Sequence, residues 1–345
     1  MKLKIYRDFI FNTTICSGVT LLVLEIILRT LSLGFNNAPI NPSKISHHEH
    51  PKNFKFRAYS PHDEWANFNI KTDEYGNREY KKSCKIGNNA AQKEYIFLGD
   101  SFVEGFQVSN ENSIVGRFEK EVCMDGGTVQ NLGVSSYSPV LSFIAFNHYI
   151  KRKNIFKPNL NNKVVIHYLA DNDIDSDNQF IGMITLDKNG QEIISAKDNL
   201  SPLKLINRIS YLSRLIRTTQ LTLKAINSDN FKATKNFNKN LRCEIGSENL
   251  STTKLYISKI DNLITKYGGK YILSAIPSDS RRVRRHNYLC YKKIATELNI
   301  PFLEAPKELF EMPARNYFDI DVHLNIQGNK LVANKLLKFI KKNNL

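Results

Sequence analysis

Short apolar runs alternate with amphipathic stretches from residue 93 to the end of the chain. The apolar runs predict strands, which we place at 93–98, 128–132, Lys163–Leu169, Lys270–Ala275 and 301–304. The stretches that alternate with them have helical spacing and predict helices at 113–124, 140–155, 252–266, Tyr288–Glu297 and 328–341. This alternation is typical of an α/β fold with a parallel sheet, in which sites form at the carboxyl ends of the strands.

The alternation of predicted strands and helices is interrupted between about residues 175 and 250, which we interpret as an insertion in the main domain. Asn189-Gly190 lies between short apolar stretches and predicts a small hairpin over 186–193. A basic helical region follows at about 202–226 and is predicted to shape a lid or a substrate groove. We expect its apolar residues to pack inside the protein. The alternative is a stripe that binds a membrane.

The N-terminus carries an apolar segment at about 9–35, densest at 19–28, preceded by Lys2, Lys4 and Arg7. Its length suits a membrane span, and the basic flank favours a cytoplasmic N-terminus and an exported remainder. Without a convincing cleavage site, residues 1–35 are predicted to be an uncleaved signal anchor. A cleaved signal peptide and a buried helix are the alternatives. Glu25 and Arg29 can pair at i, i+4 on this helix.

The segment 36–62 contains four prolines and clusters of polar residues, which is the composition of a linker. Within it, His47-His48-Glu49-His50 invites a metal-binding interpretation. Ligands packed into four consecutive residues do not all face one ion, so we interpret the run as part of a solvated linker. Residues 63–80 look like an ordered lead-in, and the main domain is predicted to span 63–345.

The 345 residues carry a formal net charge of +16. A basic surface suggests an anionic partner, such as nucleic acid, anionic lipid or an acidic glycan. We find no zinc-finger, RNP-like or basic-zipper pattern, so nucleic acid is not expected as a partner. The five cysteines lack CxxC spacing, and neither a metal nor a cofactor is expected. Cys84, Cys123, Cys243 and Cys290 can pair in an oxidising compartment, with a connectivity that the sequence leaves open.

Ser101 follows the first predicted strand of the domain and is our candidate nucleophile. Gly99 allows a sharp turn there, and the start of a helix near Ser101 presents backbone N–H groups. A serine needs a base to remove its proton and a carboxylate to hold that base. His323, in the loop before the last helix, is the best base. Asp321 is the preferred carboxylate and Asp319 is the alternative.

The developing oxyanion needs donors that are already in place. Our candidates are the N–H groups of Ser101 and Gly133 and the side-chain amide of Asn172. These residues follow three different predicted strands, at the edge of the sheet where their carboxyl ends meet. Asp100 is predicted to brace the loop and not to take part in the chemistry.

Four short motifs resemble, in order, the conserved blocks of the SGNH (GDSL-type) hydrolase superfamily. They are GDS at 99–101, the Gly of NLG at 133, the Asn of ADND at 172 and the His of DVHLN at 323. The resemblance covers roughly residues 94–340, and the anchor and the DEYGNR lead-in look like those of membrane-anchored bacterial members. It implies a flavodoxin-like three-layer α/β/α sandwich and ester chemistry. It also implies Ser101 as nucleophile, His323 as base, and an oxyanion hole of Ser101, Gly133 and Asn172.

Two positions depart from the family pattern. The third block usually has Gly where this chain has Ala170. The fourth block usually has Asp three residues before the His, where this chain has Ile320. The spacing of Asp321 and His323 is similar to that of SGNH-like polysaccharide O-acetyltransferases, which makes acyl transfer a rival to hydrolysis.

These features lead to one hypothesis and two rivals. The hypothesis is an exported serine esterase, anchored in the inner membrane, that removes O-acyl and specifically O-acetyl groups from an envelope glycan or lipid. The catalytic domain would then lie on the periplasmic side. The first rival passes the same acyl group to a sugar hydroxyl. The second rival is a glycan-binding module without catalytic activity.

Overall fold

The structure is a computed structural model of the whole chain. It describes all residues except 1, 32–34, 36, 61–63, 65, 81–92, 154–159, 161, 197–205, 207–209, 228–242, 244–246, 280 and 282–286. The strands are, in chain order, β1 (Asn41–Pro42), β2 (His48–Glu49), β3 (Lys55–Tyr59), β4 (Ala66–Lys71), β5 (Glu94–Leu98), β6 (Thr128–Asn131), β7 (Lys163–Leu169), β8 (Thr185–Leu186), β9 (Glu192–Ile193), β10 (Lys270–Ala275) and β11 (Phe302–Leu303).

The helices flank these strands. They are α1 (Lys2–Thr30), α2 (Ser101–Glu104), α3 (Ile114–Met124), α4 (Pro139–Lys153), α5 (Asp173–Phe180), α6 (Tyr211–Asn227), α7 (Ser247–Lys266), α8 (Tyr288–Glu297), α9 (Glu308–Glu311), α10 (Pro313–Asn316) and α11 (Ile326–Lys342). Short 3₁₀ turns add Asn110–Asn112 and Ile181–Met183.

A five-stranded parallel sheet forms the centre of the domain, in the order β11-β10-β7-β5-β6. Counted within the sheet in chain order, this is the arrangement 2-1-3-4-5, which is flavodoxin-like. Strand β7 is central, and six of its seven residues are buried, because helices cover both faces of the sheet. The predicted fold class, a three-layer α/β/α sandwich with a parallel sheet, is confirmed.

Alternate residues of β5 show how the two layers of helices are held. Tyr95 and Phe97 pack on one face of the sheet in a cluster that includes residues of α3 and α11. Ile96 and Leu98 point to the other face, into a cluster with residues of α4, α7 and α8. This period of two is expected of a strand that is covered on both sides. The last residue of the strand is followed at once by the Gly99 turn.

The segment 36–62 does not have the structure predicted for it. The prediction of a linker is corrected, since the segment forms β1, β2 and β3, and β3 pairs with β4 in an antiparallel ribbon. Among its described prolines, Pro42 lies in the edge strand β1, and Pro39 and Pro51 lie outside the strands, where a missing N–H costs nothing. Its polar composition arises because buried side chains, including His48 and His50, contact Ser135 and Glu104 of the main domain.

The insertion begins with the predicted hairpin, formed by β8 and β9 around Asn189-Gly190. Part of the predicted basic helical region, 202–205 and 207–209, lies outside the described residues, and α6 forms from Tyr211 onward. A disulfide joins Cys243 at the end of the insertion to Cys290 in α8. Cys123 is also disulfide-bonded, whereas Cys16 is a free thiol.

Helix α1 is long and apolar enough over Lys4–Thr30 to cross a membrane, judged by length and composition. None of its most apolar window is buried against the protein. A core helix of a soluble protein would be mostly buried, so this exposure suits a helix surrounded by lipid.

Candidate active site

Gly99 and Asp100 create the turn that presents Ser101 at the end of β5. Gly99 has φ +149°, and a Cβ at this position would lie 2.5 Å from Val103 Cγ2 and 2.6 Å from the Tyr168 carbonyl oxygen. Only glycine fits that backbone and that space. Asp100 caps α2, because its carboxylate accepts a hydrogen bond from the N–H of Phe102 (3.0 Å). Ser101 is the first residue of this short helix and is partly exposed.

His323 reaches Ser101 from the far end of the chain. Its Nε2 lies 2.7 Å from Ser101 Oγ, and its Nδ1 bonds to Asp321 Oδ1. The same Asp321 oxygen accepts the backbone N–H of His323 (2.9 Å). A carboxylate that binds Nδ1–H leaves Nε2 as the acceptor, which is the form of imidazole that can take the proton of a serine.

Asp319, the alternative carboxylate, lies elsewhere. Its side chain is 80% exposed and pairs with Arg281, whose Nη1 is 2.7 Å from Asp319 Oδ1. Arg281 is itself held by the buried Asp279 (2.8 Å). The structure thus brings Asp321, and not Asp319, into contact with His323.

The three oxyanion-hole candidates differ in how they are placed. The N–H of Ser101 belongs to the first turn of α2, where backbone donors have no partner within the helix. The N–H of Gly133 donates to Asn131 Oδ1 (2.9 Å), so it must give up this bond to reach an oxyanion. Gly133 packs tightly on α2, since a Cβ there would lie 2.7 Å from the Glu104 nitrogen. Asn172 lies exposed just after β7, with its side chain free of any cap bond to α5.

The pKa of His323 is set by opposing effects. Burial lowers it, but the hydrogen bond and the charge of Asp321, together with the charges of Asp100 and Glu104, raise it above the ordinary value of 6.5. Burial also raises the pKa of Asp100, to about 6. Asp100 Oδ2 lies 3.5 Å from Ser101 Oγ, so its charge acts directly on the reacting atoms.

A pH dependence follows from the raised pKa of His323. A general base must be unprotonated, so we expect kcat/KM for an acetyl ester to fall as the pH is lowered through that pKa. The acidic limb of the profile should therefore lie above pH 6.5. In Asp321→Asn the largest of the contributions that raise this pKa is lost, and the limb should move to lower pH. A limb at or below the ordinary histidine value in the wild type would contradict the Asp321–His323 pairing.

A buried network that the sequence did not reveal supports the loop after β6. Glu104, in α2, is 3% exposed, and its Oε2 accepts from the N–H (2.7 Å) and the hydroxyl (2.5 Å) of Ser135. Nε2 of the buried His50 lies 3.5 Å from the same oxygen. Burial raises the pKa of Glu104, but the charge of His50 and the two hydrogen bonds from Ser135 outweigh this effect, so the pKa of Glu104 is lowered. The charge of Glu104 in turn raises the pKa of the buried His50, which favours an ion pair between the two side chains beside the candidate site.

His48 completes the support of this loop. Its Nε2 lies 2.7 Å from the Ser135 carbonyl oxygen, so Ser135 is held at its N–H, hydroxyl and carbonyl groups. Burial lowers the pKa of His48 to about 4, and the ring is neutral. Within the part of the chain that the structure describes, no cluster of His, Cys, Asp and Glu is arranged to hold a metal. The His47–His50 run stood out in the sequence because of its histidines. The residues that two of these histidines contact, Glu104 and Ser135, lie about 50 to 90 residues further along the chain.

Arg78 and Glu64, from the lead-in, fix both sides of the site. The buried Arg78 guanidinium donates to the carbonyl oxygens of Glu104 and Val108, each at 2.8 Å. Glu64 accepts the N–H groups of Ile320 (2.5 Å) and Asp321 (2.9 Å). The lead-in therefore holds the end of α2 and the loop that carries the carboxylate and the base. The DEYGNR motif signalled Arg78, whereas nothing in the sequence singled out Glu64.

Solved structures similar to this chain include proteins described as lipolytic proteins and esterases. A lipolytic protein of the G-D-S-L family from Veillonella parvula is 15% identical to this chain, with a TM-score of 0.40. The aligned region covers 71% of this chain and 97% of the Veillonella protein. A catalytic mutant of an acetylxylan esterase from Geobacillus stearothermophilus is 14% identical (TM-score 0.38; 73% and 95% covered). The esterase EstA from Pseudoalteromonas sp. is 10% identical (TM-score 0.39; 73% and 98%). No protein-family model and no curated protein sequence matches the chain.

Proposed function

We propose that this protein is a serine esterase whose reaction passes through an acyl-enzyme on Ser101. The observation that carries the proposal is the continuous hydrogen-bonded chain from Asp321 through His323 to Ser101 Oγ. His323 takes the serine proton as Oγ attacks the ester carbonyl carbon, and then gives it to the leaving alcohol. A water molecule, deprotonated by the same imidazole, attacks the acyl-enzyme and releases the acid.

The oxyanion of each tetrahedral intermediate is assigned to donors at the strand ends. The Ser101 N–H is positioned at the start of α2, and the Asn172 amide lies at the end of β7. The Gly133 N–H joins them when its bond to Asn131 opens. In the free protein the Gly133 N–H already has a hydrogen-bond partner, which it must lose before it can bind the oxyanion. It therefore stabilises the oxyanion less than a donor that has no partner to lose.

The substrate is proposed to be an O-acyl, specifically O-acetyl, group on a cell-envelope glycan or lipid. Three features support this location. Helix α1 has the length and composition of a membrane anchor. The disulfide between Cys243 and Cys290 suits an oxidising compartment outside the cytoplasm. The net charge of +16 favours an anionic partner at the envelope. We therefore propose that the domain lies on the periplasmic side of the inner membrane.

Acyl transfer to a sugar hydroxyl is the second candidate function. It uses the same acyl-enzyme, and the Asp321-x-His323 spacing favours it. The two functions differ only in whether water or a sugar hydroxyl attacks the acyl group.

An experiment with the full-length protein in detergent separates the candidates. The protein is incubated with an aryl acetate as acyl donor, with and without acetyl-free polysaccharide, and free acetate and acetylated glycan are both measured. The esterase proposal predicts one free acetate for each donor consumed, whether or not glycan is present. Acetylated glycan with little free acetate would contradict it in favour of transfer. Donor consumption no faster in the wild type than in Ser101→Ala would contradict both and favour a binding module.

A further inference from the structure

A carboxylate in the anchor helix forms the N-terminal cap of a second helix. Glu25 lies near the end of α1, where its Oε1 accepts the N–H of Tyr211 (2.9 Å). Its Oε2 accepts the N–H of Leu212 (2.9 Å) and the hydroxyl of Ser210 (3.0 Å). The first turn of a helix has backbone donors without partners, and a carboxylate there also opposes the positive end of the helix dipole. The anchor therefore fixes the start of α6.

Cation–π contacts strengthen this junction. The Arg29 guanidinium pairs with Glu25 (2.9 Å) and lies 5.0 Å from the centroid of the Tyr211 ring. Arg214, one turn into α6, lies 3.9 Å from the same ring and 4.1 Å from the ring of Phe35. Among the described elements, α1 is the main neighbour of α6. The two helices meet at the end of the apolar segment, where a spanning helix leaves the hydrocarbon.

The main domain begins only a few residues after this junction. Phe35 lies five residues after the end of α1, and its N–H donates to the Arg57 carbonyl (2.8 Å) in β3. Its own carbonyl accepts the N–H of Tyr59 (2.9 Å). The domain is thus attached directly beside the end of the anchor, which keeps α6 at the height of the membrane surface.

Helix α6 is amphipathic. Leu212, Ile216 and Leu223 are spaced so that they lie on one side of a helix, and Ile216 is 52% and Leu223 54% exposed. Arg217 is exposed on another side of the helix, about 100° around the axis from Ile216. An exposed apolar stripe with a basic residue at its side suits a helix that lies in a lipid interface, with its apolar side in the acyl-chain boundary.

We propose that α6 is a membrane-surface helix, seated in the outer boundary of the same bilayer that α1 crosses, with Ile216 and Leu223 among the lipid chains and Arg217 at the anionic headgroups. The proposal rests on the anchor role of α1 given under the proposed function. It replaces the prediction that the apolar residues of this region pack inside the protein. A helix capped by the anchor and seated in the interface fixes the orientation of the domain, so that the Ser101 site keeps a constant height above the bilayer.

The test uses the full-length protein in vesicles of phosphatidylcholine and phosphatidylglycerol. A Cys16→Ser background removes the free thiol, and single cysteines at Ile216, Arg217 and Val19 are labelled with an environment-sensitive dye under non-reducing conditions. We expect dye at Ile216→Cys to emit at shorter wavelength and to be quenched by lipids brominated near the headgroup end of their chains. Dye at the matched Arg217→Cys should be quenched much less. Dye at Val19→Cys, in the anchor, should be quenched best by lipids brominated deep in the chain.

Three outcomes decide the proposal. Quenching at Val19→Cys with none at Ile216→Cys overturns the surface helix and leaves the anchor standing. No quenching at either position overturns the anchor and, with it, this proposal. If dye at Ile216→Cys is shielded but unquenched, and if the unlabelled cysteine cross-links between copies, the stripe contacts a second copy and the proposal is overturned.

Adding Glu25→Gln should reduce quenching at Ile216→Cys and leave quenching at Val19→Cys unchanged. Equal quenching with and without this substitution would contradict the capping role of Glu25.

Discussion

Ser101→Ala is expected to lower kcat/KM for an acetyl ester by about 10⁵-fold or more, the scale at which loss of a nucleophile leaves only the binding site and its donors. Alanine cannot form the acyl-enzyme, so residual turnover must come from direct attack by water. The fold should be unaffected, because the contacts that shape the turn belong to Gly99 and the Asp100 carboxylate. Initial rates with an aryl acetate, and thermal unfolding of the same preparation, measure both effects.

Ser109→Ala is the matched control for this substitution. Ser109 lies in the same loop region, and its hydroxyl donates to Glu111 (2.7 Å) at the surface. We expect its kcat/KM to stay within about twofold of the wild type, since substitutions away from the reacting atoms leave the barrier unchanged. A Ser101→Ala protein that is folded and still turns over the ester within tenfold of the control would rule out Ser101 as the nucleophile.

Asp321→Asn is expected to have the second largest effect, about 10³- to 10⁴-fold in kcat/KM, as for the orienting carboxylate of other serine triads. An amide can donate a hydrogen bond to Nδ1 and so favours the tautomer in which Nε2 carries the proton. His323 in that form cannot accept the proton of Ser101. Steady-state kinetics at a pH well above the acidic limb isolate this effect from a change in the titration of His323.

Asp319→Asn supplies the control that the chain itself offers. It removes the same charge two residues away, but Asp319 is mostly exposed and bonds to Arg281, so we expect kcat/KM within about threefold of the wild type. If Asp319→Asn is the more damaging of the two, the helper carboxylate has been misassigned. If both are harmless, His323 does not act with a carboxylate partner.

The central sheet was predictable because local pattern decides it. Lys163–Leu169 and Lys270–Ala275 form strands at the predicted bounds, since a buried parallel strand must be apolar at nearly every position. The prediction of a linker at 36–62 was wrong for the opposite reason. Its strands are two to five residues long and gain their order from partners in the main domain, such as Ser135 for His48. No local window contains those partners.

The candidate site divides in the same way. Asp321 and His323 are two residues apart, and the spacing alone indicates that one can orient the other. Glu64 accepts a hydrogen bond from the N–H of Asp321, which lies more than 250 residues further along the chain. A single carboxylate in the lead-in has no sequence pattern that would predict this contact. The bond between Gly133 and Asn131 is local, but it depends on backbone geometry that the sequence does not specify.

Covalent labelling tests the central claim most directly. Full-length wild type and Ser101→Ala are treated with a fluorophosphonate, digested, and analysed by mass spectrometry to locate the phosphonylated residue. The account predicts one modified site in the wild type, at Ser101, and none in the mutant. A wild type that is modified at another serine, or a Ser101→Ala protein that is still labelled at the wild-type rate, would contradict it.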